Sequence, residues 1–198
     1  MKKYVILMLT LFFISCHNSK EAGRTIDSIK VWYYNIIFEE TDMIGCNEIV
    51  YLPEKVDTLD VILENGRYLP KEPVILESLI TDKKVLKEIF FELQKRKATK
   101  RDYMDARMKC YISYSDGQTD SLCIGNKLII APTYVSNISS YGNYNGQPVE
   151  LTNKLFYLLR ENCGFYRWLW PINLKHFDEL NDTTFVRKKV KSRYGGEY

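Results

Sequence analysis

Histidine is nearly absent from this chain: His17 and His176 are the only two among 198 residues. A zinc centre built on several imidazoles is thereby excluded. Cys-x-x-Cys and His-Glu-x-x-His spacings are missing, as are a Gly-x-Ser-x-Gly elbow, a Ser-x-x-Lys pair, a phosphate loop and a Gly-x-Gly-x-x-Gly fingerprint. The familiar metallohydrolase, serine-hydrolase and nucleotide-binding signatures go with them, and no cofactor or metal is expected. A strong charge of one sign is also lacking, since the formal net charge is +3. So small an excess gives no global steering toward nucleic acid, which is not expected as a partner. Finally, no apolar run is long enough for a spanning helix. The uncharged stretch at residues 4–14 would reach only ~18 Å as a helix, against ~30 Å of bilayer hydrocarbon.

That short run has a different use. Met1, Lys2 and Lys3 make a positive start, residues 4–14 an apolar core, and Ser15 and Cys16 a small residue followed by a cysteine, which is the order of a signal peptide. An ordinary cleavage site wants small residues at −3 and −1. Cuts after Ser15, Ser19 or Ala22 would put Phe13, His17 or Lys20 at −3, and none of these is small. Phe13-Ile14-Ser15-Cys16 instead resembles the lipobox of bacterial lipoproteins, departing from it at Phe13, where leucine is commoner. In general plan, too, the chain resembles small bacterial lipoproteins. The resemblance implies cleavage before Cys16, diacylglycerol on its thiol and a fatty acyl chain such as palmitate on its amine. The protein would then be tethered in the cell envelope, at the outer membrane of a Gram-negative bacterium or facing its periplasm. Several acyl chains on one residue hold far more firmly than one. The alternative is an atypical secretory peptide with Cys16 as an ordinary thiol.

With residues 1–15 as the signal peptide, 183 residues remain, enough for one domain, and the loss of Lys2 and Lys3 lowers the net charge to +1. Residues 16–25 read as a lipidated polar spacer and residues 26–180 as a single domain. Residues 181–198, with Arg187, Lys188, Lys189, Lys191 and Arg193, read as a basic tail without apolar periodicity, hence mobile. The tail could touch acidic lipid headgroups or an acidic partner, or simply be solvated.

Four cysteines besides Cys16 are candidates for disulfides: Cys46, Cys110, Cys123 and Cys163. An even number in an exported chain suggests two bridges, with three possible pairings. The Ser115-Asp116-Gly117-Gln118 turn tests one of them. A two-residue turn would set Cys110 opposite Cys123. A three-residue turn with Gly117 in the left-handed position sets Tyr114 opposite Gln118 and sends the two cysteines to opposite faces. Only the second register gathers Met108, Cys110, Ile112 and Tyr114 with Leu122 and Ile124, leaving Lys109, Ser113, Thr119 and Ser121 outside. It speaks against a 110–123 bridge and lets Cys110 meet Cys163 in the core. Four buried free thiols are the other outcome.

Residues 26–38 are β-branched and aromatic and predict a long strand; residues 48–52 and 59–63 predict shorter ones, and residues 68–73 an irregular segment. From Thr81 the period becomes helical. Thr81 or Asp82 can cap, and Val85, Leu86, Ile89, Phe90 and Leu93 share a face. A charged connection at 97–107 leads to the hairpin, residues 127–134 predict another strand and residues 136–147 a polar loop. Residues 148–163 predict a second helix, stopped at Gly164. The order implies an α+β fold: a mostly antiparallel sheet with two main helices packed on one face.

The candidate sites are few. Cys163 with His176 could form a nucleophile pair, and Glu39, Glu40 and Asp42 could supply paired carboxylates or calcium ligands. A lone cysteine and histidine are more often structural, and an acidic run is more often just solvated. Tyr166, Trp168 and Trp170 alternate, so an extended backbone would align them on one face that could stack on a glycan or anchor a protein. Closing the core is the other use for these rings. Tyr141 and Tyr144 lie in a segment rich in Tyr, Asn, Ser and Gly, the composition of an adaptable contact surface. Tyr141, Tyr144, Trp168 and Trp170 are therefore the candidate contacts. The expected function is a membrane-tethered, non-catalytic binding module for a protein or glycan, including an inhibitor or immunity-type protector. The competing expectation is an envelope hydrolase using Cys163 and His176 or a carboxylate pair.

Overall fold

Ile29, Val31 and Tyr33 alternate with Lys30, Trp32 and Tyr34 along the first strand, β1 (Ile26–Tyr34), and this period of two gives the strand two different apolar faces. The computed structural model describes residues 24–34, 45–46, 75–100, 106–127, 130–131, 134–135 and 139–198. Cys16, the spacer up to residue 23, the predicted strands at 48–52 and 59–63, the segment at 68–73, and Glu39, Glu40 and Asp42 lie outside them.

β1 pairs on one side with β2 (Ile75–Ile80) and on the other with β4 (Ala106–Tyr114), both antiparallel. β4 turns into β5 (Thr119–Lys127) through the expected three-residue turn. Gly117 has φ 78°, the Tyr114 N–H donates to the Gln118 carbonyl at 3.0 Å, and Cys110 faces Leu122 while Lys109 faces Cys123. Two bulges adjust the faces. One between Ile26 and Ser28 lets Ile26 share the core with Ile29, and one between Ala106 and Met108 sends those two residues to opposite sides.

The first helix, α1 (Lys83–Leu93), starts where expected because the Asp82 carboxylate accepts from the Lys84 and Val85 N–H groups at 2.9 and 3.0 Å. It buries Leu86, Ile89 and Leu93 against the sheet. The second, α2 (Asn153–Asn162), is capped by Thr152, whose hydroxyl accepts from Leu155 N–H at 3.1 Å, and stops at Gly164, which has φ 81°. Both helices join one core with the inner faces of β1, β4 and β5, so the α+β class holds: among the described residues the sheet has seven antiparallel strands in the order β2-β1-β4-β5-β8-β9-β3, with β8 at Ser139–Tyr144, β9 at Gln147–Glu150 and β3 at Lys97–Ala98.

The outer strands of that order correct several expectations. The polar loop predicted at 136–147 contains β8 (Ser139–Tyr144), and the helix predicted from 148 begins five residues later because β9 (Gln147–Glu150) takes its start. The two strands are joined by Asn145 (φ 49°) and Gly146 (φ 82°), the positive pair of a type I′ turn whose twist matches a hairpin. Gly142 within β8 makes room for Leu151: a Cβ there would fall 2.5 Å from Leu151 Cδ1, so the leucine side chain would have to move. The charged connection at 97–107 includes β3 (Lys97–Ala98), which pairs with β9. The single strand predicted at 127–134 is replaced beyond β5 by β6 (Ile130–Ala131) and β7 (Tyr134–Val135), which form a separate ladder.

The C-terminal region differs most. Residues expected to extend past Gly164 instead wind into a 3-10 turn (Phe165–Trp168), followed by α3 (Pro171–Leu174) and α4 (Asp178–Asn181). The basic tail is docked. Val190 is fully buried and exchanges two backbone hydrogen bonds with Tyr198, at 2.9 and 3.0 Å. Arg193 N–H reaches the Arg167 carbonyl at 2.9 Å, and Tyr194 stacks on Trp170 with ring centroids 4.2 Å apart. One buried valine and one aromatic stack give this short segment the anchorage that its charge pattern conceals.

Candidate functional site: a charged cleft at the hairpin ends

The tips of two hairpins, β4–β5 and β8–β9, come together with the end of α1 and with Arg24 just ahead of β1. Between them lies a cleft of about 170 Å³. Its floor is a hydrogen-bonded chain. Tyr114 Oη is 3.1 Å from Tyr144 Oη, and Tyr144 donates in turn to Asp120 Oδ2. Asn145, presented by the type I′ turn, donates to Asp120 Oδ1 at 2.8 Å and accepts from Ser121 N–H at 2.7 Å.

Each tyrosine lies under a guanidinium. Arg24 Cζ is 3.4 Å from the Tyr114 ring centroid, and Arg96 Cζ is 4.4 Å from that of Tyr144. The two arginines are otherwise unlike. Arg24 is tied internally, with Nη1 3.5 Å from Asp120, Nη2 donating to Gln118 at 3.2 Å, and Nε 3.2 Å from Asp116. This last contact is an ion pair of poor hydrogen-bond alignment, since Nε is buried without a well-directed acceptor. Arg96 Nη1 donates to the Leu93 carbonyl at 2.9 Å, and among the described residues Arg96 makes no ion pair.

Burial pushes the Tyr114 phenol far above its ordinary range, and it raises Tyr144 to about 12 with help from the Asp120 charge. Burial also acts to raise Asp120, but hydrogen bonds from Tyr144 and Asn145 and the Arg24 charge outweigh it, so the carboxyl stays below its ordinary range. At neutral pH the cleft therefore holds fixed charges and protonated phenols. A carboxylate with a lowered folded-state pKa contributes stability that is complete above the unfolded value of ~3.9 and is lost as pH falls through the folded value. Asp120→Asn should accordingly be about 1–2 kcal/mol less stable than the wild type at pH 7, and in urea unfolding that gap should begin to narrow below about pH 5 and go on narrowing as pH falls through the lowered folded value. A gap independent of pH would show that the charge is not what these donors stabilise.

Of the four aromatic contacts expected from the sequence, only Tyr144 lines this cleft. Tyr141 is buried on the opposite face of the sheet, because the register that pairs Tyr144 with Leu122 pairs Tyr141 with Gly125. Trp168 packs against the main core and lies 4.5 Å beneath Arg193, while Trp170 is taken by Tyr194. With residues 165–168 wound into a turn, Tyr166 is buried in the core and no shared aromatic face forms.

The cysteines divide in two. Cys46 and Cys123 form a disulfide with a Cα–Cα distance of 5.9 Å, while Cys110 and Cys163 are free and buried in the main core. The Cys163 thiol donates to the Arg160 carbonyl at 3.4 Å, not to an imidazole, and burial pushes it up to about 12, which leaves no thiolate at neutral pH. His176 is half-buried and held below its ordinary range by desolvation and by Lys175. Among the described residues no three His, Cys, Asp or Glu side chains converge as for a metal ion, and no helix is long and apolar enough to cross a membrane.

Arg24, Arg96 and the Tyr114/Asp120 pair of the β4–β5 hairpin come from three distant parts of the chain. The signals that could have drawn attention to the cleft are the two hairpin turns, Asp116-Gly117 and Asn145-Gly146, which fix Tyr114 and Tyr144 at strand ends. No family model matches the chain, and neither a curated protein nor a solved structure matches it.

Proposed function

We propose that this is a lipid-anchored protein of the bacterial cell envelope, held at Cys16 and acting through its folded domain as a non-catalytic binding module. The observation that carries the binding role is the cleft itself. Its phenols and its carboxylate are shifted away from neutrality in opposite directions, a state suited to recognition and poorly suited to general acid–base chemistry. A protein partner is favoured over a glycan. Sugars stack on open aromatic faces, and here Tyr114 and Tyr144 each have a guanidinium over the ring. The leader supports the tether. Eight extended peptide steps from Cys16 to Arg24 span at most about 28 Å, so the cleft would work close to the membrane surface.

The test uses the full chain, expressed with its leader in a bacterium supplied with labelled palmitate, and carrying a photo-crosslinking residue at position 94 or 186. The expected result is label in the wild type and none in Cys16→Ala, with a discrete protein adduct from position 94 at the cleft and none from position 186, where Val186 is 98% exposed. Label that persists in Cys16→Ala would remove the anchor. Adducts equally abundant from both positions, or from neither, would remove the cleft as the binding surface.

A further inference from the structure

We propose that the cleft seats a single acidic side chain of a protein partner, its carboxylate held by Arg96 and Gln94 and its aliphatic stem lying against Phe90; this rests on the binding-module reading above. Size is the first argument. About 170 Å³ is well below the ~300–1,000 Å³ of sites that enclose a whole small-molecule ligand. It suits one protruding group of something larger, as in a pocket that receives an anchor residue.

Charge is the second argument. Asp120, the only acidic group on the wall among the described residues, is already compensated: Asn145 donates to one oxygen, Tyr144 to the other, and Arg24 is 3.5 Å away. Arg24 is in turn spent on Asp116, Asp120 and Gln118. Arg96 remains. Its Nη1 is tied to Leu93 and its plane is held over Tyr144, with no carboxylate among the described residues to neutralise it. A guanidinium already restrained on a ring loses less entropy on taking a carboxylate than one free in solvent. Gln94 adds a carboxamide that forms no side-chain hydrogen bond among the described residues, and Phe90, one helical turn earlier, supplies an apolar wall. An acidic residue matches this set at both ends, with a carboxylate for the donors and methylene for the ring.

Fluorescence anisotropy on the full chain with a fluorescein-labelled hexaglutamate peptide tests the assignment, with hexaglutamine as control. The wild type should bind hexaglutamate, more weakly at higher salt, and should not bind hexaglutamine. Arg96→Gln should weaken binding by about tenfold or more, and Gln94→Leu by about threefold. Lys83→Gln, an equal loss of charge at the exposed start of α1, should change it by less than about twofold. A readout that needs no variant is the Arg96 Nε–H resonance, which should shift on titration with N-acetylglutamate. Equal losses in Arg96→Gln and Lys83→Gln, or no binding by the wild type, would overturn the proposal. Binding of inorganic phosphate or phosphatidylglycerol vesicles in place of the peptide, lost in Arg96→Gln, would reassign the cleft to a phosphate and overturn it as well. Crosslinks from position 94 that persist without hexaglutamate binding would sink the acidic class alone and leave the binding module standing.

Discussion

Arg160→Leu should destabilise the protein by about 3–5 kcal/mol, the cost of leaving a buried carboxylate without its counter-charge. Arg160 on α2 is 1% exposed and Glu179 on α4 is wholly buried. The guanidinium pairs with Glu179 Oε1, which also accepts from Tyr166 Oη at 2.9 Å, while Oε2 has no donor among the described residues. The rings of Phe156, Phe165 and Phe177 surround the arginine at 5.5, 5.1 and 5.3 Å. Water therefore has little room to solvate what a single substitution leaves behind. Against a typical total of ~5–15 kcal/mol, the loss is a large share. The double variant Arg160→Leu, Glu179→Leu should recover most of it, because apolar side chains of similar volume often replace a buried pair at little net cost. Part of what remains is the unpaired Tyr166 hydroxyl, about 1 kcal/mol, which adding Tyr166→Phe should return. Urea unfolding followed by circular dichroism separates the cases. Losses under about 1 kcal/mol in the single variant, or a double variant no better than the single, would mean that the pair is solvated.

Breaking the Cys46–Cys123 bridge should cost about 4 kcal/mol, since it closes a loop of sequence separation 77 and restricts the unfolded chain accordingly. Cys123 is wholly buried beside Trp32, Tyr34 and Ala106, on the sheet face away from the helices, and Cys46 packs against that cluster. The bridge thus ties a distant segment over the second face. Cys46→Ala is the cleaner variant because Cys46 is only half-buried and its removal leaves the inner packing intact. Its urea midpoint should match that of the reduced wild type, and reductant should not lower it further. Equal midpoints for oxidised and reduced wild type would show that the bridge adds no stability. Bridges of this kind persist in oxidising surroundings, the setting into which the proposed export would deliver the chain.

Much of the central fold was legible because local chemistry and burial agree there. The β4–β5 register follows from Asp116-Gly117 together with one consistent apolar face, and α1 follows from Asp82 and the spacing of Leu86, Ile89 and Leu93. Where the two signals part, the sequence misleads. β8 carries Ser139, Ser140, Gly142 and Asn143 yet lies inside the sheet, because β5 and β9 satisfy its backbone on both sides and Leu151 fills the space above Gly142. The tail looks solvated by composition yet buries Val190 in the core and stacks Tyr194 on Trp170. The cleft was the least legible feature. Its residues are individually ordinary, and the two turns, Asp116-Gly117 and Asn145-Gly146, point only to Tyr114 and Tyr144 and not to their meeting.

By itself the sequence determined the two helices, the central hairpin register and the α+β class, all of them products of periodicity, capping or contiguous pattern. Only the tertiary structure decided which cysteines pair, that the tail docks, that the aromatic candidates scatter, and that Arg24, Arg96, Tyr144 and Asp120 converge. The physical reason is range. Turn and helix preferences act over a few residues and can be read along the chain, whereas a disulfide of separation 77 or a guanidinium over a distant ring depends on contacts that exist only after the sheet has closed.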